Sequence, residues 1–159
     1  MSTIDAPLPK VVRLEGEAPH LLVVRAPYYA AVVDGLRDGA ARLLTEAGAS
    51  FDVLDVAGAL ELAGAVRLAV RGKRRYDGYV ALGCVVKGDT DHYEYVCREA
   101  MAGLTGVVLQ FGLCLGNGVL TVATLDQALA RAGAEHNKGA EAAAAALGQI
   151  RAARWLGAG

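Results

Sequence analysis

The fold is decided by one stretch, Tyr79-Val80-Ala81-Leu82-Gly83-Cys84-Val85-Val86-Lys87-Gly88-Asp89-Thr90-Asp91-His92. Its first part, residues 79–86, is an almost unbroken apolar run, which is typical of a strand covered on both faces in a parallel sheet. The remainder is polar and holds three residues suited to cap a helix, and apolar residues follow at helical spacing from Tyr93 to Met101. The stretch therefore predicts a buried strand that is joined to a helix by a polar turn.

The predicted turn carries groups that bind anions and transfer protons. Free backbone N–H groups at the start of a helix attract phosphate or carboxylate, and Gly88 lets a ligand approach the main chain closely. Lys87 adds a positive charge, and a neutral His92 in the first helical turn could move protons near pH 7. An ordinary capped helix with a surface histidine is the alternative, and the turn alone does not decide between the two.

Length and composition favour one domain and exclude several classes of protein. The chain has 159 residues, enough for one well-filled core, and its net charge of −1 comes from acids and bases spread along the chain. No basic stripe indicates a nucleic-acid partner, and no apolar run is long enough to span a membrane. The three cysteines form no C-x-x-C pair and the three histidines are scattered, so we expect neither a disulfide framework nor a metal site.

The N-terminal segment differs in character from the rest of the chain. It contains Pro7 and Pro9 in a mixed context and no apolar core of a signal peptide. We therefore predict a flexible segment over residues 1–18 and a single domain over residues 19–159. The unpaired cysteines fit a reducing compartment, so a cytoplasmic protein is expected.

Strand and helix patterns alternate about four times along the chain. They predict strands near residues 21–25, 51–56, 79–86 and 119–122, and helices near 30–47, 59–69, 91–103, 124–131 and 137–155. This order predicts an α/β fold with a parallel sheet and helices on both of its faces. Gly116-Asn117-Gly118 interrupts the last strand pattern, which predicts a bulge or a place where a ligand or a neighbouring subunit approaches the backbone.

Several polar and aromatic residues follow the predicted strands. Because open parallel sheets bind ligands at the carboxyl ends of their strands, we expect Tyr28, Glu61 and Asn117 to share one rim with residues 87–92. Two of these residues also have a plainer interpretation. Tyr28 could simply cover the sheet edge, and the Glu61 carboxylate could be there because the dipole of a helix start favours a negative charge. Arg131, near the end of a predicted helix, is either an ordinary C-terminal cation or a ligand for phosphate.

Together these segments resemble the lumazine synthase family over nearly the whole chain. The resemblance rests on motifs that are weak singly and specific in this order and spacing: Gly58-Ala59-Leu60-Glu61-Leu62, the stretch from Leu82 to His92, Gly118-Val119-Leu120-Thr121 with Gln127-Ala128 and Arg131-Ala132-Gly133, and Asn137-Lys138-Gly139. An unrelated phosphosugar-binding enzyme of the doubly wound type would not account for that order. The implied fold is a three-layer α/β/α arrangement around a four-stranded parallel sheet, of the flavodoxin-like type.

The resemblance implies an activity and an assembly. The reaction is the condensation of 5-amino-6-ribitylaminouracil with 3,4-dihydroxy-2-butanone 4-phosphate to 6,7-dimethyl-8-ribityllumazine, phosphate and water, in riboflavin biosynthesis and without a cofactor or metal. The assembly is a homopentamer, or a multiple of it, with active sites between subunits and riboflavin synthase as a candidate partner. A flavin- or lumazine-storage protein on the same fold, with little turnover, is the alternative.

The resemblance also implies the residues of the site, with His92 as the residue that transfers protons. The pyrimidine and its ribityl chain would bind to Tyr28, Ala59, Leu60, Glu61, Cys84, Val85, Val86 and Asn117. The phosphate would bind to Gly88, Asp89, Thr90, Arg131 and Lys138. Leu60 and Asn117 stand where many members have aromatic residues, so fewer aromatic contacts to the ligand are expected.

Overall fold

The computed structural model describes residues 9–158, and its strands and helices follow the predicted order. The strands are β1 (His20–Arg25), β2 (Ser50–Asp55), β3 (Gly78–Val86) and β4 (Leu115–Val122). The helices are α1 (Ala30–Glu46), α2 (Glu61–Arg71), α3 (His92–Phe111), α4 (Leu125–Ala132) and α5 (Lys138–Leu156), and a 3₁₀ turn, Pro27–Tyr29, precedes α1. Within residues 9–158, no helix has the length and apolar character needed to cross a membrane.

All four strands lie parallel in one sheet, in the order β2-β1-β3-β4. The side chains serve two cores because successive residues of a strand point to opposite faces. Leu21 and Val23 enter a core with α1, α4 and α5, whereas Leu22 and Val24 enter a second core with α2 and α3. The predicted three-layer α/β/α arrangement around a four-stranded parallel sheet, of the flavodoxin-like type, is confirmed.

The central strand β3 is buried from Gly78 to Cys84, as its apolar run predicts. Val80 and Leu82 contact the first core and Ala81 contacts the second, and all three are fully buried. β1 pairs with one edge of β3, and β4 pairs with the other. Since apolar burial stabilises by about 25 cal/mol per Å², this strand is a main source of the stability of the fold.

Glycine stands at two positions of β4 for a different reason from the predicted one. The strand pairs with β3 without interruption through Gly116 and Gly118. A β-carbon at Gly116 would overlap the carbonyl oxygen of Ala142 in α5, and one at Gly118 would lie 2.7 Å from Leu82 Cδ2. The predicted bulge is therefore wrong. The predicted close approach to the backbone of β4 is present, but helix α5 of the same chain makes it, instead of a ligand or a neighbouring subunit.

Helix α3 continues past the predicted end at Gly103 and reaches Phe111. Its apolar face extends beyond that glycine, because Leu104 and Val107 are buried in the second core. The chain leaves the helix at Gly112, whose φ of 63° lies in the left-handed region that favours glycine. The helix pattern was therefore predicted correctly at its start and wrongly at its end.

The chain before β1 forms neither helix nor strand between residues 9 and 19. Leu14 nevertheless packs against the first core, and the Arg154 guanidinium donates hydrogen bonds to the carbonyl oxygens of Glu15 and Glu17 at 2.7 and 2.9 Å. Residues 1–8 lie outside the described part of the chain. The flexible segment over residues 1–18 and the single domain over residues 19–159 stay predictions.

Gly116→Ala should destabilise the protein, because the added methyl group meets the backbone of α5. Overpacking of this kind lowers the free energy of unfolding by about 1–3 kcal/mol or more. Urea denaturation measures the change, and Gly148→Ala in α5 is the matched control because no neighbouring atom lies within 4 Å of its β-carbon position. Equal stability of the two variants would contradict the close approach of β4 and α5.

Candidate active site

Three loops at the carboxyl edge of the sheet enclose a cavity of about 340 Å³. The β1–α1 loop contributes Tyr28 and Tyr29, and the β2–α2 loop contributes residues 58–61. The third part comes from the end of β3, the following turn and the start of α3, with Cys84, Val85, Val86, Gly88, Thr90, His92, Tyr93 and Val96. The structure thus brings together most of the residues that were predicted to bind the ring, the ribityl chain and the phosphate.

The loops converge because parallel strands end at the same edge of the sheet. The first N–H group after each of β1, β2 and β3 donates a hydrogen bond of 2.9 Å to a neighbouring strand: Ala26 to Leu82, Val56 to Arg25, and Lys87 to Val122. These bonds join each loop start to the strand beside it. The cavity is therefore built on the rigid part of the fold.

Tyr28 presents its ring at the cavity with little cover from other groups. It is 78% exposed, and its ring centre lies 5.3 Å from that of Tyr29 in an edge contact. Pro27 begins the 3₁₀ turn that carries both tyrosines, and its ring restricts the backbone there. Such exposure does not suit a tyrosine that only covers the sheet edge. An exposed ring beside a cavity is well placed to stack on a flat heterocycle.

The β2–α2 loop adds an apolar surface and a carboxylate. Helix α2 begins at Glu61, whose N–H group donates to the carbonyl oxygen of Gly58 at 3.2 Å. The helix dipole favours a carboxylate in this first turn. Leu60 is 49% exposed beside it. The two residues together suit a ligand that has both carbon and hydroxyl surface.

Helix α3 begins at His92 without a side-chain cap. Asp91 occupies the N-cap position, and the first turn closes with the N–H group of Glu94 donating to the Asp91 carbonyl at 3.0 Å. The N–H groups that precede this bond are available to an anion in the cavity, which Gly88 and Thr90 also line. His92 itself is exposed. A bound anion and the imidazole would therefore be close neighbours.

The cysteine in the cavity wall is not suited to act as a nucleophile. Burial raises the pKa of the Cys84 thiol to about 11, so the thiol is neutral at pH 7. Burial also raises the pKa of Cys97 in α3 and the pKa of the Tyr93 phenol. Among the lining residues, His92 is then the side chain best suited to exchange protons near neutral pH.

Asn117 is not on the rim where the sequence placed it. It is the third residue of β4, pairs with Ala81 in the sheet, and donates a hydrogen bond to Met101 Sδ at 3.1 Å. Its side-chain oxygen accepts from the N–H group of Val119 at 3.0 Å. The residue of β4 that reaches the rim is Val122, at the end of the strand. The predicted position of Asn117 is therefore wrong, and its ligand contact stays a prediction.

The two predicted phosphate-binding cations contact residues of their own helices. Arg131 Nη1 donates to the carbonyl oxygen of Gln127 at 2.9 Å, and Lys138 Nζ donates to Glu141 Oε2 at 2.6 Å. Neither lines the cavity of its own chain, and the same is true of Asp89. The plainer interpretation of Arg131 as a C-terminal cation fits a single chain. A role in phosphate binding requires the cavity of a neighbouring subunit and stays a prediction.

Four lining residues were not among those predicted for the site: Tyr29, Gly58, Tyr93 and Val96. A usable signal existed for Val96, which follows His92 by one helical turn and so shares its face of α3. Tyr29 and Gly58 are sequence neighbours of predicted residues. Within residues 9–158, no three His, Cys, Asp or Glu side chains are grouped to hold a metal ion.

Comparisons with known proteins cover the whole of this site. The family model described as 6,7-dimethyl-8-ribityllumazine synthase matches residues 18–154. Curated proteins of that name include one from Bartonella tribocorum, 44% identical over 133 residues, which are 83% of this chain and 88% of the relative. One from Bartonella bacilliformis is 46% identical over 134 residues, with 83% and 88% covered. One from Nitrobacter hamburgensis is 44% identical over 149 residues, with 91% of each chain covered.

The raised pKa of Cys84 predicts how its reaction with iodoacetamide depends on pH. Only the thiolate reacts, so the rate should keep rising through pH 10, because the pKa lies at about 11. A small free thiol, measured in parallel, should level off near its own lower pKa. Mass spectrometry of the peptide that contains Cys84 gives the rate. A plateau below pH 9 would contradict a buried, neutral thiol.

Proposed function

Because the chain belongs to the 6,7-dimethyl-8-ribityllumazine synthase family, we propose that it condenses 5-amino-6-ribitylaminouracil with 3,4-dihydroxy-2-butanone 4-phosphate. The products are 6,7-dimethyl-8-ribityllumazine, phosphate and water, and the step belongs to riboflavin biosynthesis. The observation that carries the proposal is the cavity itself, which joins a stacking ring, a helix start for an anion and an imidazole at one sheet edge. This transferase chemistry requires that two substrates be held side by side.

The pyrimidine would occupy the part of the cavity between Tyr28 and the end of β3. β1 pairs with β3 only as far as Leu82, so the backbone of β3 beyond that residue has no strand beside it on the β1 side. Main-chain groups from Cys84 to Val86 are thus available to the edge of a ring that stacks on Tyr28. Ala59, Leu60 and Glu61 would receive the ribityl chain, with the Glu61 carboxylate accepting hydrogen bonds from hydroxyl groups.

The phosphate would bind at the start of α3. Gly88, Asp89 and Thr90 form the turn before the helix, whose dipole and free N–H groups favour a dianion. The butanone carbonyl would then lie near the ring amine. Holding two reactants in such an arrangement can supply a large share of the rate enhancement without a covalent intermediate on the protein.

His92 would carry the proton transfers of the reaction. Attack of the ring amine on the carbonyl needs a proton on the carbonyl oxygen, and loss of phosphate needs a proton removed from carbon. An imidazole at the start of α3 lies next to the anion site and can serve both steps. Cys84, whose raised pKa keeps it neutral, would contribute its backbone and not its sulfur.

The direct test is to incubate the purified protein with both substrates and to follow lumazine absorbance, fluorescence and phosphate release. His92→Ala should lower kcat by roughly 10²–10⁴-fold, which is the usual worth of general acid–base catalysis, and should leave lumazine binding nearly intact. An unchanged kcat at saturating substrate would remove His92 from the mechanism. Tight lumazine binding by the wild-type protein without turnover would instead favour the storage function.

The family implies small-molecule substrates and an oligomeric assembly. A homopentamer, or a multiple of it, is our more specific proposal, with active sites between subunits. In support, α3 buries only Ala100, Leu104 and Val107 within its own chain, while Tyr95 is 57% and Leu109 is 79% exposed. Helix α4 likewise exposes Leu125 and Leu129. Apolar surfaces of this kind commonly mark subunit interfaces.

A shared site would also explain the positions of the predicted cations. Arg131 and Lys138 lie away from the cavity of their own chain, so we propose that they reach the phosphate bound by a neighbouring subunit, and that Asn117 contributes across the same interface. The cytoplasm as its compartment and riboflavin synthase as a partner are further proposals. They rest on the family and on the unpaired cysteines.

Mixing two impaired variants tests the shared site. His92→Ala and Arg131→Ala subunits should each have low activity alone. When they are unfolded and reassembled together in equal amounts, about a quarter of the interfaces of a random ring should pair an intact His92 with an intact Arg131. Activity should therefore rise well above that of either parent. A fully active monomer in analytical ultracentrifugation, or no rise on mixing, would contradict the shared site.

A further inference from the structure

The end of β1 holds a cluster of one arginine and two aspartates that does not line the cavity. Arg25 is the last residue of β1, and only 14% of its side chain is exposed. Its Nε and Nη2 donate to the two carboxylate oxygens of Asp55 at 2.5 and 3.1 Å, and its Nη1 donates to Asp34 Oδ1 at 2.5 Å. Hydrogen bonding to Asp55 is the main cause that raises the pKa of Arg25 above its usual range. Two parallel hydrogen bonds between a guanidinium and a carboxylate fix the orientation of the arginine side chain and also pair its charge.

The partners of Arg25 belong to the elements on both sides of the tyrosine turn. Asp55 is the last residue of β2, and Asp34 lies in α1, just beyond the 3₁₀ turn Pro27–Tyr29. The bond from Arg25 to Asp34 therefore spans the turn that carries Tyr28. The bonds to Asp55 attach the same guanidinium to the neighbouring strand end. One side chain thus connects the start of the turn, its end and β2.

Apart from the packing of Tyr29 against the first core, the described residues give the tyrosine turn little other side-chain support. Ala26 and Tyr29, the N-cap residues of the 3₁₀ turn and of α1, form no side-chain cap. The Tyr28 ring is 78% exposed and contacts the edge of Tyr29. Its orientation must therefore be set mainly by the backbone of the turn. The bonds of Arg25 are side-chain bonds that constrain that backbone.

We infer that Arg25, through Asp34 and Asp55, is a positioning residue that holds the Tyr28 ring in place for the pyrimidine. This inference rests on the proposed function, since it concerns the ring-binding part of the same site. The hydrogen bonds of the Arg25 side chain go to Asp34 and Asp55 and to no residue of the phosphate turn at the start of α3. The inference therefore concerns the binding of the pyrimidine and not that of the phosphate. Loss of the Arg25–Asp34 bond should therefore weaken ring binding and spare butanone phosphate binding.

The chain offers a matched pair of variants for the test. Asp34→Asn removes the charge that bonds Arg25 across the turn and leaves the Arg25–Asp55 pair in place. Asp38→Asn, one turn further along α1, removes a carboxylate that pairs with Arg37 at 2.6 Å and has no bond to Arg25. Arg37 also lies 3.9 Å from Asp34, so both variants remove a carboxylate that faces this arginine. The two variants differ in that only Asp34→Asn removes a carboxylate that bonds Arg25 across the tyrosine turn.

The measurements are the two KM values and the Kd of 6,7-dimethyl-8-ribityllumazine, followed by its fluorescence. Asp34→Asn should raise the pyrimidine KM and the lumazine Kd by roughly 2- to 13-fold, which is the range of one aromatic stacking contact. The KM for butanone phosphate should stay within about twofold of wild type if that contact alone is weakened. Asp38→Asn should change none of these values.

A double-mutant cycle separates positioning from simple stability. If Arg25 and Asp34 act through the ring, Asp34→Asn should raise the lumazine Kd in the wild-type protein and not in a Tyr28→Ala protein. Additive effects on Kd, or a lower Tm of Asp34→Asn with unchanged Kd, would overturn the inference. The cycle measures binding alone, so absent turnover in the wild type would refute the proposed function without deciding this test.

Discussion

The burial of β3 between two helical layers is the constraint on which the rest of the structure depends. Because both of its faces are covered and both of its edges are paired, the strand fixes the direction of β1 and β4 and the level at which all three end. The loops that follow the strands therefore begin side by side at this edge, and the cavity forms between them. The position of this candidate site is set by the geometry of parallel pairing and not by any single residue.

The chemistry of the cavity depends on which groups at the carboxyl edge of the sheet are not already used in the fold. Within residues 9–158, three groups are left open to a ligand: the β1 side of the β3 backbone beyond Leu82, the first N–H groups of α3 and the exposed Tyr28 ring. The buried thiol of Cys84 is neutral at pH 7, which supports our proposal that His92 carries the acid–base chemistry. A site of this kind catalyses by holding two substrates together and by moving protons between them.

The parts of the fold and site that the sequence predicts correctly are those with local signals. β3 is read from its apolar run, the start of α3 from its polar turn, and Tyr28 and Glu61 from their places after strands. The bulge predicted at Gly116 and Gly118 is wrong because the environment of these glycines is set by α5, a helix more than twenty residues later in the chain. Asn117 was misplaced because it lies near the start of β4, where its side chain contacts Met101 of α3. The Arg25 cluster joins residues 9 and 30 positions apart, so it becomes visible only when the strand order is known.

The central claim is that the pyrimidine ring stacks on Tyr28 with its edge against the main chain of β3. A crystal structure of the protein with bound 6,7-dimethyl-8-ribityllumazine tests it most directly. We expect the ring plane over the Tyr28 ring, hydrogen bonds from the ring edge to backbone groups between Cys84 and Val86, and the ribityl chain along the start of α2. A ring bound elsewhere on the chain, or in this cavity without contact to Tyr28 and β3, would contradict the account.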